Sequence, residues 1–165
     1  MKRDKLLDQA IADSIEKLSK ALAEAKLLTN KEPKWSTPLK INSRSRQIVG
    51  GAGIGVYKIY HKDSIADDVA LYIGQGSISG RKGHHCYVFR NKDQAGLSQK
   101  NLERFQNSQT KSHAAIKMHD HDPEIDNWFF SFCTLDNKDV SQEYENLLIT
   151  DEEPLFNNLS MSGVN

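Results

Sequence analysis

The sequence predicts an α+β domain in which three strands are combined with flanking helices. Three segments are short, apolar and β-prone, at about 56–60, 69–73 and 128–135. Helical periodicity appears at the N-terminus and again after the third strand. The 165 residues fit a single main domain, and because only 38% of them are hydrophobic, a compact core must carry a generously polar surface.

An amphipathic helix is predicted at the N-terminus, over about residues 3–28. Apolar residues recur there at spacings of three and four, which puts them on one stripe. The stripe consists of Leu6, Leu7, Ala10, Ile11, Ile15, Leu18, Leu22 and Ala25. It can pack on its own domain or on a second copy of the chain. We therefore treat residues 1–32 as a packing or dimerisation helix and expect a homodimer as one outcome.

The rest of the chain divides into an arm and a main domain. Residues 33–53 contain two prolines, three glycines and several basic residues, so they are predicted to form a basic arm or linker. The main domain is predicted over 54–160, with a polar insertion at about 91–118 that holds a helix near 99–106. A last helix is expected over about 140–150, with Asp139 as its N-cap and Pro154 after its end.

Charge is segregated along the chain although the formal net charge is zero. Residues 33–118 carry 14 Lys/Arg and five Asp/Glu, whereas residues 119–165 carry one Lys and 11 Asp/Glu. Such segregation indicates a surface that faces a polyanion, unless folding mixes the charges again. The basic residues expected to contact DNA are Lys34, Lys40, Arg44, Arg46, Lys58, Lys82, Arg90 and Lys92.

Composition also excludes several classes of protein. No apolar run approaches the roughly 18 residues that a membrane span needs. The charged N-terminus is unlike a secretory signal, and two cysteines cannot make a disulfide framework. We expect a cytoplasmic protein, in a bacterial or phage-infected cell, whose cysteines pack in a core.

Five short motifs follow one another in the main domain: two strand tripeptides, an Arg–His pair, a glutamate and an asparagine. Gly55-Val56-Tyr57 lies on the first predicted strand, and Tyr72-Ile73-Gly74 ends the second. Arg81 comes nine residues after Tyr72, and His85 four residues later. Glu145 lies on the last predicted helix, and Asn157 follows it by twelve residues.

This succession resembles the GIY-YIG nuclease superfamily over about 100 residues, with GVY in the place of the first tripeptide. The Arg-to-His spacing is similar to that of restriction and homing members, and the Glu145-to-Asn157 segment resembles the excision-repair nuclease domain. The resemblance implies a small, central, mostly antiparallel three-stranded sheet flanked by helices. It also implies a metal-dependent endonuclease that hydrolyses phosphodiester bonds of double-stranded DNA.

The resemblance assigns a role to each motif residue. Glu145 holds one Mg²⁺ or Mn²⁺ ion, which suits a hard cation that keeps most of its waters. Arg81 offers a bidentate fork to the phosphate oxygens. Tyr57 activates water as a general base, and we expect Arg81 and the metal to lower its pKa. The remaining roles are orientation of water or phosphate by Tyr72, proton relay or phosphate binding by His85, and support of the hydrogen-bond network by Asn157.

Each assignment has an alternative that the sequence leaves open. The two tyrosines can be ordinary half-buried strand residues. Neighbouring residues of the same type compete for the other roles, namely Lys82, His84, Glu143 and Asn158. The segment His119-Asp120-His121-Asp122 lacks the His spacing of a zinc enzyme and is predicted to be a polar turn. Gly76, Gly80 and Gly83 lack the spacing of a phosphate-binding loop and fit a loose turn or close approach to DNA.

The expected activity is site-specific cleavage or nicking by a restriction, phage or mobile-element enzyme. The compact length favours such an enzyme over a multidomain repair subunit. Two alternatives remain: a catalytically silent DNA-binding protein on the same fold, and a structure-selective repair or recombination nuclease. The arm and the insertion are the segments expected to select the target.

Overall fold

A computed structural model describes residues 2–29, 33–43 and 49–157, which form an α+β fold. The strands are β1 (Leu39–Lys40), β2 (Ile54–His61), β3 (Tyr72–Ser77) and β4 (Trp128–Thr134). The α-helices in these ranges are α1 (Lys2–Thr29), α2 (Ile78–Arg90), α3 (Gln99–Lys111), α4 (Ala114–His121) and α5 (Lys138–Glu152). The predicted α+β class is confirmed.

The strands form one antiparallel sheet in the order β1-β4-β2-β3. The sheet thus has four strands. The prediction of three strands was wrong because it omitted the short β1. That strand is only two residues long and pairs Leu39 with Phe130, so it has no sequence period to detect. The central strand is β2, which pairs with β4 on one side and with β3 on the other.

The segment predicted as an arm packs against the domain through several of its described residues. Ile41 is 1% exposed and Val49 is 3% exposed. The Ser36 amide donates to the Phe132 carbonyl at 2.8 Å, which ties the segment to β4. Residues 33–43 are therefore part of the fold, and Arg44 and Arg46 lie outside the described residues.

The core has two layers because successive side chains of β2 point to opposite faces of the sheet. Tyr57 and Ile59 lie in the layer that contains Val88 of α2 and Met118 of α4. Val56 and Tyr60 lie in the other layer, with residues of α5. The helices that carry Arg81 and Glu145 thus pack on different layers, and both border the edge strand β3.

Two local predictions were wrong in detail. Asn137, not Asp139, caps α5, and its side chain accepts from the Val140 amide at 2.9 Å. The polar turn expected at 119–122 is mostly the end of α4. For Gly80 and Gly83, which lie inside α2, the alternative of a loose turn is excluded.

The two cysteines are free thiols that serve packing. Cys133 is buried, and the Cys86 thiol donates to the Ile41 carbonyl at 2.8 Å. Among the described helices, none combines the length and the apolar character that crossing a bilayer requires.

Candidate active site

The candidate site is built around Tyr57, which lies on the central strand and is 1% exposed. Its cross-strand neighbour on β3 is Gly74. A Cβ atom on Gly74 would overlap the Tyr57 hydroxyl and ring. The tyrosine of the first tripeptide therefore requires the glycine of the second, which explains physically why the two motifs occur together.

His85 is the hydrogen-bond partner of Tyr57. The Tyr57 hydroxyl and His85 Nε2 are 2.8 Å apart. Burial, reinforced by the charge of Arg81, lowers the pKa of His85 to about 3, so the imidazole is neutral. Its Nδ1 atom is buried and has no hydrogen-bond partner within the described part of the chain. The ring is fully buried and its Nε2 is engaged by Tyr57, so His85 contacts the phenol and not solvent.

The protein alone keeps Tyr57 in its neutral phenol form. Burial raises the pKa of Tyr57 well above 10, and the neighbouring Tyr72 raises it further. Arg81 lowers this pKa, as expected, but its effect is smaller than that of burial. The expected direction of the Arg81 effect is therefore confirmed, while burial keeps the pKa of Tyr57 raised overall.

Tyr72 is half-buried at the start of β3, beside both of these residues. Its ring centroid lies 6.1 Å from that of Tyr57 and 5.6 Å from that of His85. Burial raises the pKa of Tyr72, so this hydroxyl is also neutral. The exposed His113 packs edge-on against the Tyr72 ring at 6.3 Å. Sequence analysis did not place His113 near the site, because 41 residues separate it from Tyr72 and no local pattern joins them.

Arg81 lies in the first turn of α2, directly after β3. Gly76 has φ +130°, and a Cβ atom there would lie 2.8 Å from Arg81 Nε. A side chain at position 76 would therefore displace the guanidinium. The competing Lys82 is 8% exposed and donates to the Ser43 carbonyl at 2.7 Å, so it points away from this site.

Glu145 extends from α5 and is half-buried, whereas the competing Glu143 is exposed. Burial raises the pKa of Glu145 to about 7, although Arg81 pulls it down. The Glu145 charge in turn raises the pKa of both Tyr57 and Tyr72. The carboxylate, the guanidinium and the two phenols thus form one electrostatic unit.

The donor set at Glu145 fits a single hard divalent cation. No group of three His, Cys, Asp or Glu side chains suited to a metal occurs in the described ranges, so the protein would supply one carboxylate. Mg²⁺ is commonly bound through one or two carboxylates and retains several waters. The raised pKa of Glu145 shows that nearby protein charges do not compensate for its burial, and a divalent cation would.

Asn157 holds the outer edge of β3. Its Oδ1 accepts from the Ile73 amide at 2.8 Å, and its Nδ2 donates to the Ile73 carbonyl at 2.7 Å. The amide side chain thus takes the place of a neighbouring strand. Asn157 positions the backbone next to Tyr72, and its competitor Asn158 lies outside the described residues.

The predicted DNA contacts divide into four groups. Lys34, Lys40 and Arg90 are exposed. Lys58 is 8% exposed and pairs with Glu152 of α5 at 2.8 Å, while Lys92 pairs with Asp120. Lys82 is buried, as described above, and Arg44 and Arg46 are not described. The two ion pairs join the basic middle of the chain to its acidic end, so Lys58 and Lys92, like the buried Lys82, are less available to DNA than the sequence suggests.

The His- and Asp-rich segment has its own contacts. Asp122 accepts from His61 Nε2 at 2.6 Å, and His121 packs against Trp128 with ring centroids 5.8 Å apart. His119 packs against Phe89 at 5.0 Å. Asp122 and His121 thus lie against His61, whereas His119 lies against Phe89, and these side chains serve packing.

Comparison of the chain with protein-family models, curated proteins and solved structures gives no match. The function is therefore argued from the site itself.

Proposed function

We propose that the protein is a metal-dependent endodeoxyribonuclease of the GIY-YIG type that hydrolyses phosphodiester bonds in double-stranded DNA. One observation carries the proposal. Five motif residues from β2, β3, α2 and α5 interact at the edge of β3 through contacts or shared electrostatic effects: Tyr57, Tyr72, Arg81, His85 and Glu145. Scattered structural residues have no reason to converge in this way.

Charge and hydrogen bonding define what each side chain does. The Arg81 guanidinium binds non-bridging phosphate oxygens with two parallel hydrogen bonds. Tyr57 accepts a proton from the attacking water while its own hydroxyl proton passes to His85 Nε2, 2.8 Å away. This coupled transfer avoids a free phenolate, which the raised pKa of Tyr57 disfavours. Because burial lowers the pKa of His85 to about 3, the transfer also requires the negative charge of the bound phosphate to stabilise the imidazolium. Tyr72 orients the water or the phosphate.

Glu145 would hold the divalent cation, Mg²⁺ or Mn²⁺. When bound, that cation supplies Lewis-acid stabilisation of charge on the phosphate and on the leaving 3′ oxygen. The half-buried position of Glu145 strengthens its interaction with a cation because water screens the charges less than at the surface.

The proposal is tested by incubating the purified protein with supercoiled plasmid and phage DNA, with Mg²⁺ or with a chelator. Discrete Mg²⁺-dependent fragments or open circles are expected, and sequencing of the ends gives the site and the number of strands cut. If neither these substrates nor branched DNA and a genomic library are cut while a gel shift shows binding, the fold is a silent DNA-binding protein and the proposal fails.

We further propose a site-specific enzyme of the restriction, phage or mobile-element type, which would meet its duplex in the cytoplasm. Specific recognition needs side chains outside the reacting centre, and the segment 91–118 supplies an additional helix pair. Cleavage of a random-sequence library separates the possibilities, since a non-specific nuclease would produce a continuous smear.

We also propose a homodimer formed through α1. The helix lies against α5, and Leu18 and Leu22 on its stripe are partly buried. The same stripe continues toward the N-terminus as Leu7, Ile11 and Ile15, which are 61%, 50% and 60% exposed.

A second α1 is the occupant that fits this exposed face. Antiparallel pairing about Ile11 sets Leu7 against Ile15 of the other copy, so the stripe is self-complementary. The described side chains 5–22 carry three lysines and three carboxylates, a balance that gives no attraction to DNA or to an anionic membrane. A helical segment that packs against nothing is only marginally stable in water. Burial of this stripe would therefore stabilise the N-terminal half of α1.

A further inference from the structure

A polar groove of about 870 Å³ lies between α2 and α3. On α2 it is lined by Gly80, Gly83, His84 and Tyr87, whose spacing of three and four puts them on one face of the helix. Arg81 and His85 lie on the adjoining face of the same helix. The groove is thus a direct neighbour of the candidate active site.

Two glycines keep the floor of the groove open. Both lie within α2, where glycine is less favourable than alanine. A Cβ atom on Gly83 would meet no described atom within 4 Å, so packing gives no reason for a glycine there. The missing side chain leaves space for something outside the described chain.

The wall formed by α3 is rich in hydrogen-bond donors. It presents the exposed cations Lys100 and Arg104 together with the amides Asn101 and Asn107. The Arg104 guanidinium lies over the Tyr87 ring at 4.4 Å, which orders it at the rim. Glu103 is the one carboxylate in the lining, so cations predominate.

We propose that this groove binds the sugar–phosphate backbone of the DNA strand that adjoins the cleaved phosphate. The inference rests on the proposed function, because the ligand is the same duplex. An open groove whose lining residues include hydrogen-bond donors and two cations, and no aliphatic residue, suits phosphate oxygens, whereas small-molecule sites are mostly apolar. Glycines on the floor let the backbone approach α2 closely, next to Arg81.

The test is the affinity for a fluorescent duplex, measured by anisotropy with Ca²⁺ in place of Mg²⁺ to prevent cleavage. Gly83→Glu puts a carboxylate into free space in the groove, and we expect at least about a tenfold weaker Kd at moderate salt. Gly83→Gln, which adds bulk without charge, should weaken binding less. The matched control is Gln106→Glu, which adds the same charge to an exposed position of α3 outside the groove lining.

Thermal unfolding separates binding from folding. Gly83→Ala should raise Tm, because alanine favours the helix and meets no atom. The inference is overturned if the wild-type protein binds and cleaves DNA while Gly83→Glu binds like Gln106→Glu. If the wild-type protein neither binds nor cleaves any duplex, the proposed function itself fails, and the two failures are thereby distinguished.

Discussion

The hydrogen bond between Tyr57 and His85 is the basis of the proposed action on water. A phenol with a raised pKa is not present as a phenolate, so in the proposed mechanism Tyr57 loses its hydroxyl proton as it accepts one from water. His85 is neutral, with a pKa of about 3, so its Nε2 would accept that proton once the charge of the bound phosphate stabilises the imidazolium. We therefore propose the pair as a proton relay between the reacting water and a buried histidine.

The first prediction concerns Tyr57→Phe. Loss of the hydroxyl removes the relay, so the cleavage rate should fall about 10²–10⁴-fold. Steady-state cleavage of a labelled duplex measures the rate. Tyr60→Phe is the matched control, because Tyr60 lies on the same strand but donates to Asp68 in the other layer. A Tyr57→Phe variant as active as Tyr60→Phe would contradict the relay.

The second prediction concerns Glu145→Gln and stability. The folded protein holds a proton on Glu145 up to a pKa of about 7, whereas the unfolded chain releases it near 4.5. Stability therefore falls as pH rises between these values, because the folded state binds more protons there. The uncharged amide of the variant would carry no such penalty, so the free energy of unfolding should rise by about 1–2 kcal/mol at pH 8, after allowance for solvent screening.

Urea unfolding at pH 4 and pH 8 measures this effect. At pH 4 both states are protonated and the gain should vanish. Glu143→Gln, at an exposed position two residues away, should change the free energy of unfolding by less than about 0.5 kcal/mol at either pH. A destabilised Glu145→Gln variant at pH 8 would mean that the carboxylate has a structural role.

At the scale of elements, the edge of β3 is the part of the fold that the site depends on most. The segment after α5 returns to this edge, where the Phe156 amide donates to the Leu71 carbonyl at 2.8 Å. The Asn157 side chain there forms hydrogen bonds with both the backbone amide and the carbonyl of Ile73. These contacts hold β3, and with it Tyr72 and the start of α2, in one position relative to β2.

The third prediction concerns Asn157→Ala. Removal of the side-chain amide leaves the backbone N–H and C=O of Ile73 without this partner. The free energy of unfolding should therefore fall by about 1–3 kcal/mol. Because Asn157 positions the strand and does not touch the substrate, kcat should fall while KM stays nearly constant. Asn146→Ala on the exposed side of α5 is the control. A large rise in KM alone would show instead that Asn157 contacts DNA.

Elements with a strong period of apolar residues could be predicted from the sequence, whereas short elements could not. Helix α1 was predicted over 3–28 and occurs over Lys2–Thr29, because its apolar stripe repeats along most of its length. Strand β1 and the dense packing of Ile41 depend on contacts with β4, which local sequence does not record. The motif residues were predictable as a set, whereas their hydrogen bonds and pKa shifts follow from tertiary burial.

Over the whole molecule, segregated charge in the sequence becomes paired charge in the fold. Lys58 meets Glu152, and Lys92 meets Asp120. Sequence reasoning therefore overestimated the basic surface, since it could not know which lysines fold against the acidic C-terminal segment. The exposed Lys34, Lys40 and Arg90 remain the predicted phosphate contacts of the described chain.

The fourth prediction concerns the dimer. Ile11→Glu puts a charge at the centre of the exposed stripe of α1 and should convert a dimer into a monomer. Light scattering coupled to gel filtration measures the mass. Ala12→Glu adds the same charge to an exposed position off the stripe and should leave a dimer. If the wild-type protein is monomeric at micromolar concentration, the proposed α1 interface does not exist.

In the proposed function, Glu145 holds a divalent cation for DNA cleavage at the edge of β3. The most direct test is the initial rate of plasmid cleavage across a Mg²⁺ titration, compared between wild type, Glu145→Gln and Glu143→Gln. We expect the wild-type protein and Glu143→Gln to cut with the same Mg²⁺ dependence, and Glu145→Gln to lose about 10³-fold in rate while still binding the duplex. Cleavage by Glu145→Gln at the wild-type rate, or equal cleavage in chelator, would contradict the claim.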